Sequence, residues 1–278
     1  MSDSFGPAVD AGWLIDHLGA PDLGVVDVRW DLDGRSARDA YRAGHIPGAG
    51  VVDRDTLLAA PPSPAGGRHP LPDPADFAAV MSGLGIGDDS RVVAYDDTGG
   101  VTAGRLWWML DALGRPAAVL DGGIGAWPGD LSTDVPSGTS AAYSPQPWPS
   151  DRLMTADEVA EGLGTELVIL DARSAERYAE GAAIDPRPGH VPGARSAPAT
   201  DNLDGGSLRP AEELGARYRS LGAGDAPVVT YCGSGVSACI DLLSMRRAGL
   251  PDGRLFVGSW SMWGADPDRP AETGPDQG

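Results

Sequence analysis

The chain repeats itself once along its 278 residues, and this repeat limits the folds that it can adopt. Four motifs of the first half return in the same order in the second half. They are GVVDVRW (24–30) with VILDARS (168–174), AGHIPGAG (43–50) with PGHVPGAR (188–195), VVAYDDTGGVTAG (92–104) with VVTYCGSGVSA (228–238), and LDGGIGAW (120–127) with FVGSWSMW (256–263). His45 and His190 are 145 positions apart, whereas Trp127 and Trp263 are 136 apart, as loop insertions and deletions would cause. The preserved order predicts two similar domains in tandem.

The segment between the two copies predicts the domain limits. A chain of 28.6 kDa is long enough for two domains that each bury their own core. Residues 128–151 are rich in Pro, Ser and Gly and lack any helical or strand periodicity, so we expect an extended linker over the surface of one or both domains. The predicted limits are 1–130 for the N-terminal domain, 131–151 for the linker and 152–278 for the C-terminal domain.

Within each copy, short apolar runs alternate with helical patterns. The runs are rich in Val, Ile and Leu and cover residues 25–28, 92–95, 117–120, 167–170, 228–231 and 254–257. The helical patterns cover residues 9–18, 73–84, 102–113, 155–163, 210–221 and 237–248. Apolar strands separated by helices indicate an α/β fold, in which each domain has a parallel sheet with helices on both faces. Ligands of such sheets bind at the carboxyl ends of the strands.

Composition limits the class of partner. The net charge is −19 and every basic residue is an arginine, so we expect neither nucleic acid nor an anionic membrane as a partner. No apolar run approaches the 18 residues or so that a membrane helix needs, and the opening residues have no signal-peptide pattern, so we expect a soluble cytoplasmic protein. The two cysteines, without CxxC or clustered histidines, argue against a disulfide framework and a metal site.

Cys232 ends an apolar run and faces a glycine-rich turn, YCGSGVSAC, that leads into a predicted helix. Backbone N–H groups of residues 233–238 could form an anion-binding nest, and the start of the helix adds the positive end of its dipole. Both features favour the thiolate, which is the nucleophilic form of cysteine. The alternative is a buried cysteine at a tight corner. Gly233 and Gly235, with Ser234 between them, favour a reactive cysteine over a buried structural one.

These motifs resemble the rhodanese-type sulfurtransferases that have two rhodanese-like domains, and the resemblance covers nearly the whole chain. The loop CGSGVSA is similar to the active-site loop of the 3-mercaptopyruvate branch. The resemblance implies that Cys232 takes a sulfane sulfur from 3-mercaptopyruvate as a persulfide and passes it to a thiol such as thioredoxin, or to cyanide. It implies no metal or organic cofactor. Residues Gly233, Gly235, Val236, Ser237 and Ala238 would bind substrate as the rest of the loop.

The resemblance also implies roles outside the loop. Asp96 stands at the position of Cys232 in the first copy, so the N-terminal domain would be catalytically inactive and would close one wall of a cleft. Asp55 and His69 would come from that wall and form a Ser/His/Asp proton relay with Ser234.

Two arginines are expected to bind the substrate. Arg177 aligns with an arginine that grips the substrate carboxylate in the family. A second arginine usually follows in the insertion before the GHxPG turn, where the aligned position falls near Ala183. Arg187 is the candidate for this role, displaced by about four residues along the chain.

Three other functions remain open at this point. The thiosulfate-preferring branch differs in donor and usually carries Arg and Lys after the cysteine, where this chain has Gly233 and Ser234. A cysteine-dependent phosphatase would need an arginine six residues after the cysteine, and that position is Ala238. A non-catalytic rhodanese-like binding module is the third alternative.

Several family-like residues are better interpreted as structural. His45 and His190, each in a GH[IV]PGA turn, should hydrogen-bond locally, and Asp27 and Asp171 should pair with backbone or with the arginine that follows. Trp260 and Trp263 are expected to pack near the mouth of the site. Cys239 is expected to be a small core residue, with a resolving thiol as the alternative if it came within disulfide reach of Cys232.

Overall fold

A computed structural model describes residues 5–30, 36–135 and 140–275, and it divides the chain into two compact units. The first unit contains residues 1–60, 72–148 and 205–208, and the second contains residues 61–71, 149–204 and 209–278. Each unit therefore takes a short segment from the other half of the sequence. The limits 1–130, 131–151 and 152–278 remain a prediction for the two domains.

The first unit is built on a five-stranded sheet in which every strand pair is parallel. The strands, in their order across the sheet, are Ala8–Val9, Ala117–Leu120, Arg91–Tyr95, Leu23–Asp27 and Gly50–Val51. The helices are Ala11–His17, Ala37–Ala43, Arg54–Leu57, Pro74–Gly83 and Ala103–Ala112, with a 3-10 turn at Gly123–Ala126. Ser207–Leu208 is a further short strand of this unit.

The second unit repeats this plan with a four-stranded parallel sheet. Its strands, in order, are Arg254–Leu255, Val228–Tyr231, Val168–Asp171 and Arg195–Ser196, and a short strand covers Leu203–Asp204. The α-helices are Ala156–Glu161, Ala175–Glu180, Ala211–Ser220, Ala238–Arg247 and Ser259–Trp263, and 3-10 turns cover Ser150–Arg152 and Ala199–Asn202. The predicted α/β class and the parallel sheets are confirmed.

Alternation along one strand explains how both faces of the second sheet are covered. Ile169 packs into a cluster with Tyr178, Trp260 and Trp263, whereas Val168 and Leu170 pack into a different cluster. That other cluster is closed by helix residues that include Tyr218 and Met245. Because successive side chains of a strand point to opposite faces, the two clusters are the two layers between sheet and helices. Because both faces of the strand are packed, its carboxyl end is the part that remains available for ligand binding.

The predicted linker follows the surface of the first unit over residues 140–148. Tyr143 is buried and meets the ring of Phe77 edge-on at 5.9 Å between centroids, and Trp148 Nε1 donates to Pro72 O at 2.8 Å. Residues 136–139 of the linker lie outside the described residues. Among the helices of the described ranges, none combines the length and apolar character that crossing a membrane requires.

Candidate active site

Cys232 lies directly after the strand Val228–Tyr231, at the carboxyl end of the second sheet. The loop 232–237 joins this strand to the helix Ala238–Arg247. The cysteine is 2% exposed, and neither it nor Cys239 forms a disulfide bond among the described residues. The strand end, the tight loop and the start of the helix are those predicted from the sequence.

The sulfur of Cys232 accepts hydrogen bonds from its own loop. Gly235 N–H donates to Sγ at 3.1 Å, and Ser234 N–H donates to it at 3.5 Å. Backbone N–H groups aimed at a sulfur stabilise negative charge on it, whether that sulfur is a thiolate or the inner sulfur of a persulfide. Gly235 has φ of +76°, and a β-carbon there would lie 2.5 Å from Val257 O. Only glycine fits this bend of the loop.

A second loop fixes the backbone of Cys232 and Gly233. Trp260 N–H donates to Cys232 O and Ser261 N–H donates to Gly233 O, both at 2.9 Å. Ser259 Oγ accepts from Cys232 N–H at 3.2 Å and donates to Phe256 O at 2.9 Å. Within the described ranges, Ser259 is also the one non-glycine residue with positive φ, at +52°. A strained backbone at a serine that supports the reactive residue is typical of functional sites.

Two guanidinium groups lie over Gly233. A β-carbon at Gly233 would be 2.8 Å from Nη2 of Arg177 and 3.0 Å from Nη2 of Arg68. A side chain at position 233 would therefore displace these groups, and glycine lets both approach the loop. Arg177 was predicted from the sequence, whereas Arg68 was missed. Arg68 immediately precedes His69 in GGRHPLP, and this adjacency is the one signal that could have identified it.

Both arginines are held by the turn before the second GHxPG motif. Asp185 accepts from Arg177 Nε at 3.1 Å and from Arg177 Nη2 at 2.6 Å. Ile184 O accepts from Arg68 Nη1 at 3.0 Å, and Arg68 N–H donates to Ser261 Oγ at 2.9 Å. The insertion that was predicted to carry a second arginine thus supplies acceptors for Arg177 and Arg68.

The other predicted site residues have different surroundings. Arg187 Nη2 donates to Arg269 O at 2.6 Å, and its guanidinium lies 5.8 Å from the Trp260 ring centroid, so Arg68 rather than Arg187 stands beside Gly233.

His69 is half-buried and belongs, like Arg68, to the second unit by its contacts. Asp55 belongs to the first unit, where it accepts from Trp30 Nε1 at 3.0 Å and pairs with Arg54 at 2.5 Å.

The remaining loop residues complete the connection to the helix. Ser234, Val236 and Ala238 are buried, Ser237 is half-buried, and Ala238 is the first residue of the helix. Cys239 Sγ donates to Gly235 O at 3.4 Å, and its side chain is fully buried. This contact fits the expectation of a small core residue.

The residues that were interpreted as structural do hydrogen-bond locally. His45 Nδ1 lies 2.8 Å from Tyr41 O, and His190 Nδ1 lies 3.0 Å from Tyr178 O, in each case with the two rings stacked at 3.7 Å. Arg173 binds Asp171 through Nε and Nη2, as predicted for an aspartate before an arginine. These predictions are confirmed.

The strand next to Asp171 contributes a phenol to the same buried network. Tyr231 accepts from Val191 N–H at 3.1 Å. Burial, with a further contribution from Asp171, raises the pKa of Tyr231 well above its ordinary value. The phenol beside the reactive loop therefore stays neutral.

The matching loop of the first unit carries Asp96 in place of the cysteine. Its Oδ1 accepts from the N–H groups of Thr98 and Gly100 at 3.0 and 2.8 Å, and its Oδ2 accepts from those of Thr102 and Ala103 at 2.7 and 2.9 Å. A carboxylate saturates this nest. Over residues 5–30, 36–135 and 140–275, no group of three or more His, Cys, Asp or Glu side chains could hold a metal ion.

Comparison with known proteins agrees with this geometry. The family model described as "Rhodanese-like domain" matches residues 10–130 and again 155–266. A probable 3-mercaptopyruvate sulfurtransferase of Pseudomonas aeruginosa is 42% identical over 274 residues, which are 94% of this chain and 96% of that protein. A thiosulfate sulfurtransferase of the same organism is 33% identical and covers 93% of this chain and 94% of its own length.

A solved structure supports the same assignment. SseA from Escherichia coli, whose crystal structure is described with the rhodanese fold of 3-mercaptopyruvate sulfotransferases, matches with a TM-score of 0.83 at 30% identity. The match covers 92% of this chain and 99% of that one. The chain is therefore an enzyme of the rhodanese family, a sulfurtransferase with two rhodanese-like domains in tandem.

Proposed function

We propose that the enzyme moves a sulfane sulfur from 3-mercaptopyruvate, through a persulfide on Cys232, to a thiol such as thioredoxin or to cyanide. The observation that supports this most directly is the convergence at one loop of a thiol with N–H donors and two guanidinium groups. The thiol suits attack on sulfur, and the guanidinium groups suit a carboxylate. The relative that is named a probable 3-mercaptopyruvate sulfurtransferase supports the same donor.

In the first half-reaction, Arg177 and Arg68 hold the carboxylate of the donor while the Cys232 thiolate attacks its sulfur. The new S–S bond forms as the C–S bond breaks, and the electron pair of the C–S bond leaves on carbon as the pyruvate enolate. A proton then reaches that carbon, and Ser234, His69 and Asp55 are the proposed relay. Pyruvate departs, and Cys232 carries the outer sulfur.

In the second half-reaction, an acceptor thiolate or cyanide attacks the outer sulfur of the persulfide. The S–S bond breaks, and its electron pair returns to Cys232 as the thiolate. The N–H groups of Ser234 and Gly235 stabilise the charge on Sγ at this step. The chain's own residues account for each half-reaction, and the proposed mechanism uses no cofactor. The first unit, with Asp96 in its loop, is proposed to be catalytically inactive.

Thiosulfate is the second candidate donor, because a pair of guanidinium groups also suits its sulfonate end and because a similar protein bears that name. The deciding experiment measures sulfur transfer to cyanide from 3-mercaptopyruvate and from thiosulfate over a concentration series, with Cys232→Ala as the blank. We expect a larger kcat/KM for 3-mercaptopyruvate, lost in the variant, with a persulfide mass shift on the Cys232 peptide.

A preference for thiosulfate in this assay would replace the proposed donor. No turnover of either donor by folded protein would contradict the use of both, and would favour a binding role for this chain. The cytoplasmic location expected from the sequence stays a prediction, which cell fractionation would test.

A further inference from the structure

The turn at residues 182–186 orients two arginines from distant parts of the chain. Its Asp185 carboxylate binds Arg177, and its Ile184 carbonyl binds Arg68. We infer that Asp185 is the positioning residue of the donor site and that its charge favours a donor with one negative charge over a donor with two. The inference rests on the proposed function, because it concerns the donor that Arg177 and Arg68 bind.

The Asp185 carboxylate is fixed from several sides. Its side chain is 1% exposed, and Oδ2 also accepts from Ala182 N–H at 3.0 Å. Arg173 Nη1 lies 3.6 Å from the same oxygen, and Arg173 is itself held by Asp171. A buried carboxylate with this many partners keeps one orientation, and its charge is screened less than that of a surface pair. Asp185 can therefore fix the angle of the Arg177 guanidinium.

The geometry of this pair decides which edge of Arg177 meets the donor. Asp185 takes the edge formed by Nε and Nη2. Nη2 is also the atom closest to the β-carbon position of Gly233. A guanidinium has further N–H groups on its Nη1 and Nη2 end, and these can bind one carboxylate in line with the loop. Without Asp185, the flexible Arg177 side chain would lose this orientation.

The charge of Asp185 has a separate effect. It offsets the positive charge of Arg177, which is 30% exposed, so an incoming anion meets a smaller net positive potential. Coulomb attraction scales with the charge of the anion, so this reduction weakens the binding of dianionic thiosulfate more than that of a monoanionic carboxylate. Orientation and charge therefore both favour 3-mercaptopyruvate.

The test replaces Asp185 by asparagine, which keeps the shape and removes the charge. We expect kcat/KM for 3-mercaptopyruvate to fall roughly tenfold, mainly through KM, because the carboxylate is misplaced. We expect kcat/KM for thiosulfate to rise by about two- to fivefold, since the local potential becomes more positive. The matched control is Asp252→Asn, which breaks another two-bond pair, to Arg246 at 2.7 Å, and should leave both donors unchanged.

Combining the Asp185 and Arg177 substitutions distinguishes a positioning role of Asp185 from a merely structural one. If Asp185 acts through Arg177, Asp185→Asn should change donor use less than twofold when Arg177 is already alanine. Equal losses in both backgrounds would overturn the inference. Should Asp185→Asn not fold, Asp185→Glu keeps the charge and shifts the carboxylate. For that variant we expect a raised KM for 3-mercaptopyruvate without the gain for thiosulfate, and an unchanged KM would count against positioning.

A readout without sulfur transfer keeps the two proposals distinguishable. The rates of alkylation of Cys232 by iodoacetate, an anion, and by neutral iodoacetamide are measured by peptide mass spectrometry. We expect the ratio of the iodoacetate rate to the iodoacetamide rate to rise by about two- to fivefold in Asp185→Asn and to fall in Arg177→Ala. If wild type uses neither donor while the ratio responds, the proposed function fails, whereas the effect of the Asp185 charge on anions that approach Cys232 stands. An unchanged ratio with unchanged donor preference in folded Asp185→Asn would overturn it.

Discussion

The loops after the central strands of the two units have the same plan and opposite contents. In the first unit, the Asp96 carboxylate accepts from four backbone N–H groups, the last of which belongs to Ala103, where the helix begins. In the second, Cys232 Sγ takes two N–H groups, and the helix begins one residue sooner, at Ala238. In the first loop, the backbone N–H groups are bound by a carboxylate of the loop's own side chain. The other presents a polarisable sulfur, with arginines beside it.

This difference separates what the backbone does from what the side chain does. The nest of N–H groups favours any anion, because its donors and the helix dipole do not depend on the residue that fills it. A carboxylate there contributes stability and cannot carry sulfur. A thiol at this position gains less stabilisation from the N–H groups than a carboxylate does, but it can act as a nucleophile. The comparison can be tested by exchanging the contents of the two loops.

The largest expected effect comes from Cys232→Asp, which copies the first unit. Sulfur transfer should fall by about a thousandfold or more, because a carboxylate cannot form the persulfide. The midpoint of thermal unfolding should exceed that of Cys232→Ala, since the carboxylate accepts the N–H groups that alanine leaves without an acceptor. If the two variants unfold at the same temperature, the loops are not equivalent nests.

The second effect is on the first unit alone. Asp96→Ala should lower the free energy of unfolding by about 2–4 kcal/mol, because four N–H donors lose a charged acceptor. Urea unfolding measures this loss, and Asp97→Ala, the exposed neighbour, is the control with an expected change within about 0.5 kcal/mol. Sulfur transfer by the folded variant should stay within about twofold of wild type, because the proposed mechanism uses no residue of this loop. A large loss of transfer would show that the first loop has a catalytic role.

The third effect concerns the helices that follow the loops. The fourth residue of this helix is Leu106 in the first unit and Asp241 in the second, and both side chains are fully buried. Asn202 Nδ2 and the Tyr218 hydroxyl donate to Asp241, and Arg217 also lowers its pKa, but burial dominates and raises the pKa to about 7. The folded state then binds this proton more tightly than the unfolded chain, whose carboxyl has its ordinary value of 3.8.

The sign of the pH effect follows from that difference. Stability from Asp241 is present at low pH and is lost as pH rises from about 4 to about 7. Asp241→Asn removes this dependence, so the free energy of unfolding of the variant minus that of wild type should rise by about 2–3 kcal/mol between pH 5 and pH 8. Urea titrations at the two pH values measure it. A difference that does not change with pH would mean that Asp241 titrates normally.

Local patterns in the sequence were enough to predict most of the scaffold. The apolar runs at 92–95 and 228–231 and the helices that follow them were predicted within one or two residues of their observed ends. The strands Ala8–Val9, Gly50–Val51 and Arg195–Ser196 were missed, since two residues carry no periodicity. The position of Cys232 followed from the strand-turn-helix pattern.

The groups around the cysteine depended on contacts that no local pattern contains. Arg68 approaches Gly233 across more than a hundred positions of sequence, and Asp185 is linked to the loop through Arg177. Spacing along the chain predicts a second arginine near Ala183, whereas the fold supplies the guanidinium from a different segment. The left-handed backbone of Ser259 was equally invisible, because serine rarely adopts it without tertiary support.

The unit that carries Cys232 also includes residues 61–71, which stand in the other half of the sequence. Arg68 donates from this segment to Ser261 and Ile184, and a β-carbon at Gly67 would collide with Gly258 O. A fragment that begins at residue 152 would therefore lose an arginine and a buried edge of its own unit. No single cut of the chain therefore separates the two units intact, although the repeated motifs suggest a cut at the midpoint.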